Sequence, residues 1–156
     1  MAMMTDFMEN KLIDWFFRGQ AIGITGASAA AGSGPTSLFV GLLTATPTDS
    51  TAGTEVTGGS YARVTVASSL ANWAGTQAAA STVASSGTSG TTSNNGAITF
   101  PAPTANWGTV TAVGIYDATS GGNLLMYMPL TTSKTVNNGD AAPSFVAAAL
   151  SLQIDN

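Results

Sequence analysis

The sequence contains no cysteine and no histidine. The first absence rules out disulfides, thiolate zinc sites and cysteine nucleophiles. The second rules out Ser-His-Asp triads. Charge is almost as scarce: four basic and eight acidic side chains make up 8% of 156 residues, where an ordinary soluble domain has ~25%. With Lys11, Arg18, Arg63 and Lys134 as the only cations, no stripe can form that neutralises nucleic-acid phosphates. Long hydrophobic runs are missing too, since no apolar stretch approaches the ~20 residues a membrane span needs. Neither nucleic acid nor a membrane is therefore an expected partner. The N-terminal segment has Asp6 and Glu9 but no basic leader and no small-residue cleavage site. A secretory signal is not expected, and the protein should reach its destination by assembly or lysis.

What fills the space left by charge is Thr, Ser, Ala and Gly. Hydrophobic residues make up 44% of the chain and the net charge is only -4, which argues against disorder. The length suits a single domain over residues 1–156. A domain of that size buries roughly two thirds of the surface its unfolded chain exposes. A hydroxyl-rich surface stays wettable, and it packs against neighbours without stripping water from many ions, which is costly.

Along the chain, residues 5–18 read as one amphipathic helix. Thr5 is the expected N-cap, Asp6 complements the helix dipole and Gly19 is the expected terminator. Met8, Leu12, Trp15 and Phe16 fall on one face, widened by Ile13 and Phe17; Asn10, Lys11, Asp14 and Arg18 lie opposite. Residues 19–36 form a Gly/Ala-rich loop. The period then changes from helical to extended. Strands are expected at 37–44, 61–66, 97–100, 110–116, 124–128, 134–136 and 145–154, and residues 47–59 are a turn-rich connection. Gly121 and Gly122 suit a hairpin turn. Residues 67–96, low in complexity with Trp73 as their main large apolar group, read as an extended loop or arm. The β-rich core thus spans 37–66 and 97–154. The expected fold is mainly β, an antiparallel sandwich or jelly-roll-like domain preceded by one N-terminal amphipathic α-helix.

No motif concentrates reactive groups. Residues 23–32 (GITGASAAAG) resemble the cofactor loop of short-chain dehydrogenases. Such a loop needs a strand before it and a helix after it. Here a helix precedes and Gly34-Pro35 follows, and the Tyr-xxx-Lys of that family is missing. No cofactor and no metal are expected, and the chain is not expected to be an enzyme. A glycan hydrolase would need a carboxylate pair held roughly 5–10 Å apart. Asp49, Asp117 and Asp140 each sit beside turn-forming residues, where Asp usually bonds nearby backbone. Arg63 is expected in a structural ion pair with Glu55 or Asp117. Leu12, Trp15, Phe16, Phe17 and Trp73 are the candidate interface, docking on the chain's own sheet or on a neighbouring subunit. Trp73 and Trp107 are expected in the core; their exposure beside loop carboxylates would instead point to sugar recognition.

The order of several segments carries a family resemblance. They are residues 8–14 (MENKLID), 38–44 (LFVGLLT) with 47–49 (PTD), 53–56 (GTEV) and 58–63 (GGSYAR). Further on come 98–101 (ITFP), 107–118 (WGTVTAVGIYDA), 120–125 (SGGNLL), 130–136 (LTTSKTV) and 139–140 (GD). Together these resemble a family of small structural proteins of tailed bacteriophages, regarded as head-decoration or tail-fibre-like proteins. Residues 19–36 and 67–96 depart from it. The resemblance implies a β-rich virion protein present in many copies, assembled in the host bacterial cytoplasm. The absence of a fibre shaft or coiled-coil repeat favours a capsid decoration or cement protein, a homo-oligomer bracing the major capsid protein by non-covalent contacts. The alternative is a tail fibre, baseplate or receptor-binding component in contact with tail proteins.

Overall fold

The computed structural model describes residues 4–24 and 34–154. The fold is mainly β, made of antiparallel sheets with one N-terminal helix. Among the described residues that helix, α1 (Asp6–Phe16), precedes nine strands. They are β1 (Ser37–Ala45), β2 (Thr54–Glu55), β3 (Val64–Ala67), β4 (Thr91–Ser93), β5 (Ile98–Thr99), β6 (Gly108–Tyr116), β7 (Leu124–Val136), β8 (Ser144–Phe145) and β9 (Ser151–Gln153). Five strands form the main sheet in the order β2-β1-β6-β7, with β3 also paired to β1. Because β6 occupies one edge of β1, β2 and β3 share the other. The pairs β4-β9 and β5-β8 are separate two-stranded ladders.

The chain divides into two compact units and passes between them repeatedly. One comprises residues 1–37, 67–98 and 145–156, the other residues 38–66 and 99–144. Their interiors differ in kind. The 38–66/99–144 unit buries apolar side chains: Val40, Leu42 and Leu43 of β1 meet Val110, Ala112, Val113 and Ile115 of β6, joined by Phe100, Trp107 and Val136. The near-continuous apolar run of β1 fits a central strand covered on both faces. The other unit buries Ile13, Phe17, Trp73, Leu150 and Leu152. It also holds every buried polar residue among those described: Glu9, Asp14, Arg18, Thr76, Thr92, Ser93 and Asn94.

Several expectations shift in detail. The helix is shorter than 5–18. Thr5 is extended at the N-cap (φ -94, ψ 153) without a side-chain cap, and Phe17 closes the last turn through its N–H to the Ile13 carbonyl. Gly19 turns the chain at φ 65. Residues 124–128 and 134–136 are one strand, not two. Pro129 is tolerated because β7 lies at the sheet edge and the ladder slips there, from Val110↔Lys134 to Ala112↔Pro129. The single strand expected over 145–154 is two, β8 and β9, separated by a turn in which Ala148 takes φ 63. The connection 47–59 contains the short β2, and residues 67–96 contain β4.

The larger correction concerns the helix face. Asp14 and Arg18 were expected on the polar face, opposite the aromatic stripe. Both are buried, with Glu9, Ile13 and Phe17 beside them at i, i+4 spacing, while Leu12, Trp15 and Phe16 are half-exposed. The physical reason is that residues 67–96 bring hydrogen-bonding partners for the charges onto that face.

Candidate functional site

Two arginine centres, one in each unit, organise the loops of the chain. The first is Arg18. At 0% exposure, its guanidinium must find protein partners for every N–H or carry a heavy desolvation cost. It finds five. Nη1 donates to Asp14 Oδ1 at 2.5 Å, one helical turn back, and to Ser85 Oγ at 3.1 Å. Nε donates to the Trp73 carbonyl at 3.0 Å, and Nη2 donates to the carbonyls of Ser81 (3.3 Å) and Val83 (2.5 Å). Asp14 completes the net by accepting from Ser85 N at 2.9 Å and Ser85 Oγ at 2.6 Å. One turn earlier, Asn10 Nδ2 donates to the Gly87 carbonyl at 3.0 Å, and Asn10 Oδ1 accepts from Thr76 Oγ1. The arm from Trp73 to Gly87, which has few large apolar groups of its own, is thus held to α1 by charge-assisted hydrogen bonds. Phe17 packs on Trp73 with ring centroids 5.1 Å apart, and Phe16 sits edge-on to Phe17 at 4.9 Å.

The expected interface residues are therefore split. Phe17 and Trp73 lie wholly inside this unit and touch each other. Leu12, Trp15 and Phe16 remain half-exposed. Trp107, in the other unit, is also buried and donates Nε1–H to the Gly59 carbonyl at 2.9 Å. The exposed aromatics are Phe7 and Tyr127 instead.

The second centre begins with two glycines. Gly41 of β1 faces Gly114 of β6 in register. A Cβ at Gly41 would come within 2.9 Å of Tyr116 Cε2 and 3.0 Å of Glu55 Oε1 and Tyr61 Oη; at Gly114 it would come within 2.7 Å of Tyr116 Cε2. The missing side chains leave a slot that the Tyr116 ring fills. Arg63 lies over that ring at 3.4 Å and pairs bidentately with Glu55, Nε to Oε1 at 2.7 Å and Nη2 to Oε2 at 2.6 Å. Tyr61 donates to Glu55 Oε1 at 2.8 Å and accepts from Leu42 N at 2.8 Å. Burial, reinforced by Glu55, pushes the Tyr61 phenol well above its ordinary range. Burial also raises Tyr116, and the Glu55 hydrogen bonds raise Arg63.

Arg63 Nη1 reaches outward to the carbonyls of Ala118 (2.6 Å) and Gly121 (2.8 Å), fixing the β6–β7 hairpin loop. Of the two carboxylates considered for Arg63, Glu55 makes the pair. Asp117 turns to Asn123, accepting from its N–H and side-chain amide at 2.7 Å each; these bonds, the side-chain one first, lower its pKa. The Asp14–Arg18 centre was not foreseen, although its i, i+4 spacing was a visible signal.

Among the described residues no group of three or more His, Cys, Asp or Glu could hold a metal ion, and no helix is long and apolar enough to cross a membrane. The residues resembling a dehydrogenase cofactor loop, 23–32, lie largely outside the described residues.

No curated protein matches the chain. A family model, described as podophage GP4 fiber I protein gp80, matches residues 3–153 and so covers the helix, the arm and every strand. A family of phage structural proteins is a family of virion components. The chain belongs to the podophage GP4 fiber I protein gp80 family and is a phage virion structural protein.

Proposed function

We propose that the chain is a non-catalytic subunit of the tail fibre, assembling with further copies of itself and with other tail proteins through non-covalent contacts. The observation that carries this reading is the family match over residues 3–153, to a family described as a fiber protein. Three features of the folded chain support it. Among the described residues, strand β7 ends the main sheet, paired with β6 on one side only, and an unpaired edge is a template for a further strand. The low charge lets like copies pack without mutual repulsion. Six of the ionisable side chains serve structure: Asp14 with Arg18, Glu55 with Arg63, and Asp117 and Asp140 on turn backbone.

The test is a cryo-electron-microscopy reconstruction of intact particles. Density for this chain confined to the tail is the expected result. Density repeated over the capsid lattice would refute the fibre reading and select the alternative, a decoration protein that binds the major capsid protein and stabilises the assembled head by mass action.

A further inference from the structure

Three acidic residues sit in turns of the 38–66/99–144 unit, and two of them have an evident structural task. Asp117 accepts from Asn123 N, and Asp140 accepts from Asn137 N at 2.8 Å. Asp49 differs. It lies in the tight turn closed by Thr48 N to the Thr51 carbonyl at 3.0 Å, where the two threonine hydroxyls bond each other at 2.8 Å. Its carboxylate is exposed and makes no hydrogen bond or ion pair with any described residue. The turn is held without it.

That carboxylate borders a concave surface of about 430 Å³, lined by residues 48–52 on one side and 122–127 on the other. The volume lies within the ~300–1,000 Å³ range of small-molecule sites. One wall carries Tyr127, 38% exposed and next to the similarly exposed Leu125; the Tyr127 hydroxyl, like that of Ser50, has no partner among the described residues. The Arg63 guanidinium pins the loop at Ala118 and Gly121, so Gly122 and Asn123 are held in place before any ligand arrives. Among the described residues of the lining, Asp49 is the only charged one.

An apolar ring face, a free carboxylate and free hydroxyls around one shallow groove match the two sides of a sugar ring. The C–H face of a pyranose covers an aromatic, and its hydroxyls donate to a carboxylate in charge-assisted bonds. A groove with a carboxylate and no cation disfavours uronic, sialic or phosphorylated sugars. We propose that this groove is a binding site for a neutral pyranose unit of a polysaccharide, with Tyr127 as the stacking platform and Asp49 as the hydroxyl acceptor. The inference deepens the fibre reading, on which it rests for its purpose, since such a site serves a part of the virion turned toward a cell surface.

The test is a titration of the full ¹⁵N-labelled chain with the methyl glycosides of glucose, galactose, mannose and N-acetylglucosamine, followed by amide shifts in NMR. The expected result is a saturable millimolar response to at least one sugar, centred on residues 48–52 and 122–127. Tyr127→Ala and Asp49→Asn each weaken it by about tenfold or more, while Tyr127→Phe, which keeps the ring, preserves it. No saturable response to any of the four, or one that survives both Tyr127→Ala and Asp49→Asn, overturns the proposal. If Tyr127→Ala loses its dispersed spectrum, Asp49→Asn decides alone, because Asp49 has no internal partner to lose. The fibre reading is judged separately, by the position of the density in the particle. A chain located in the tail whose groove stays silent overturns this inference and leaves the fibre reading standing.

Discussion

Replacing Arg18 by methionine should detach the 73–87 arm from α1. The substitution keeps most of the side-chain length but removes all five donated hydrogen bonds, to Asp14, Trp73, Ser81, Val83 and Ser85. The Asp14 side chain, 9% exposed, then keeps its two bonds from Ser85 but loses its cation. Removing one partner of a buried pair costs ~3–5 kcal/mol, most of it from the charge left behind. Total stabilities are ~5–15 kcal/mol, so the loss is large for the unit that holds the pair. The assay is hydrogen exchange, because its readout is local. The Ser85 and Gly87 amides, which donate to Asp14 Oδ2 and Thr76 Oγ1, should exchange ~100-fold or more faster, at 1.4 kcal/mol per tenfold. Amides of β6, in the other unit, should change far less. The double variant Asp14→Leu/Arg18→Met removes both charges and should cost much less than the sum of the single changes, since an apolar pair of similar volume can replace a buried ion pair. A cost below ~1 kcal/mol for Arg18→Met, equal loss of protection at Ser85 and in β6, or strict additivity in the double variant would each refute the reasoning.

Three further outcomes can be measured on the same protein. Gly41→Ala should destabilise the 38–66/99–144 unit by ~1–3 kcal/mol in urea unfolding, because the new Cβ meets Tyr116, Glu55 and Tyr61 at 2.9–3.0 Å and these groups are locked together. Asp117 has its pKa lowered by Asn123, so its contribution is present above its unfolded value of about 4 and is lost as the pH falls through the lower folded value; Asp117→Asn should make the acid limb of the stability profile shallower. Tyr61 has its pKa raised by burial, so its contribution is intact below its unfolded value of about 10 and erodes as the pH rises beyond it; Tyr61→Phe should flatten the alkaline limb while lowering stability at neutral pH through loss of the Leu42 and Glu55 bonds.

The strands were legible where hydrophobic patterning is strong. The run through Leu38, Val40 and Leu42 and the run through Val110, Val113 and Ile115 declare β1 and β6, and they pair with each other. Legibility failed where a residue was judged by type and not by its neighbours. The strand expected over 124–128 stopped short of Pro129, a residue that cannot donate to a ladder, yet on an edge strand beside a register slip no donor is missed. The Asp14–Arg18 pair read as part of the polar helix face, opposite the aromatic stripe, because charged residues are usually exposed. It is buried because residues 67–96, poor in apolar groups, can be fixed only through their carbonyls and hydroxyls, and one guanidinium offers five donors to them. Such a partnership joins residues more than fifty positions apart, beyond the reach of any local pattern. Arg63 was easier to place, with Glu55 only eight residues away in the sequence, on β2. The glycine slot beneath it was not foreseeable, since Gly41 and Gly114 gain meaning only once they face each other.

The scarcity of charge and the polar interior of one unit have a common explanation. A Ser/Thr-rich arm has little apolar surface to bury, so its attachment depends on direction and not on area. Asn94 illustrates this at 1% exposure. Its side chain donates to the carbonyls of Gly96 (2.7 Å) and Val146 (2.9 Å) and accepts from Leu150 N (2.9 Å), tying three loop positions through one amide. Networks of this kind are strong only when complete, because each orphaned group in a low-dielectric interior costs more than a satisfied one contributes. The apolar unit, by contrast, loses stability in increments as methylenes are removed. The chain therefore uses two of its four cations as internal clamps, one on the arm and one on the β6–β7 loop. Its outer surface is left to hydroxyls, amides and backbone, which can pack against other copies without stripping water from ions.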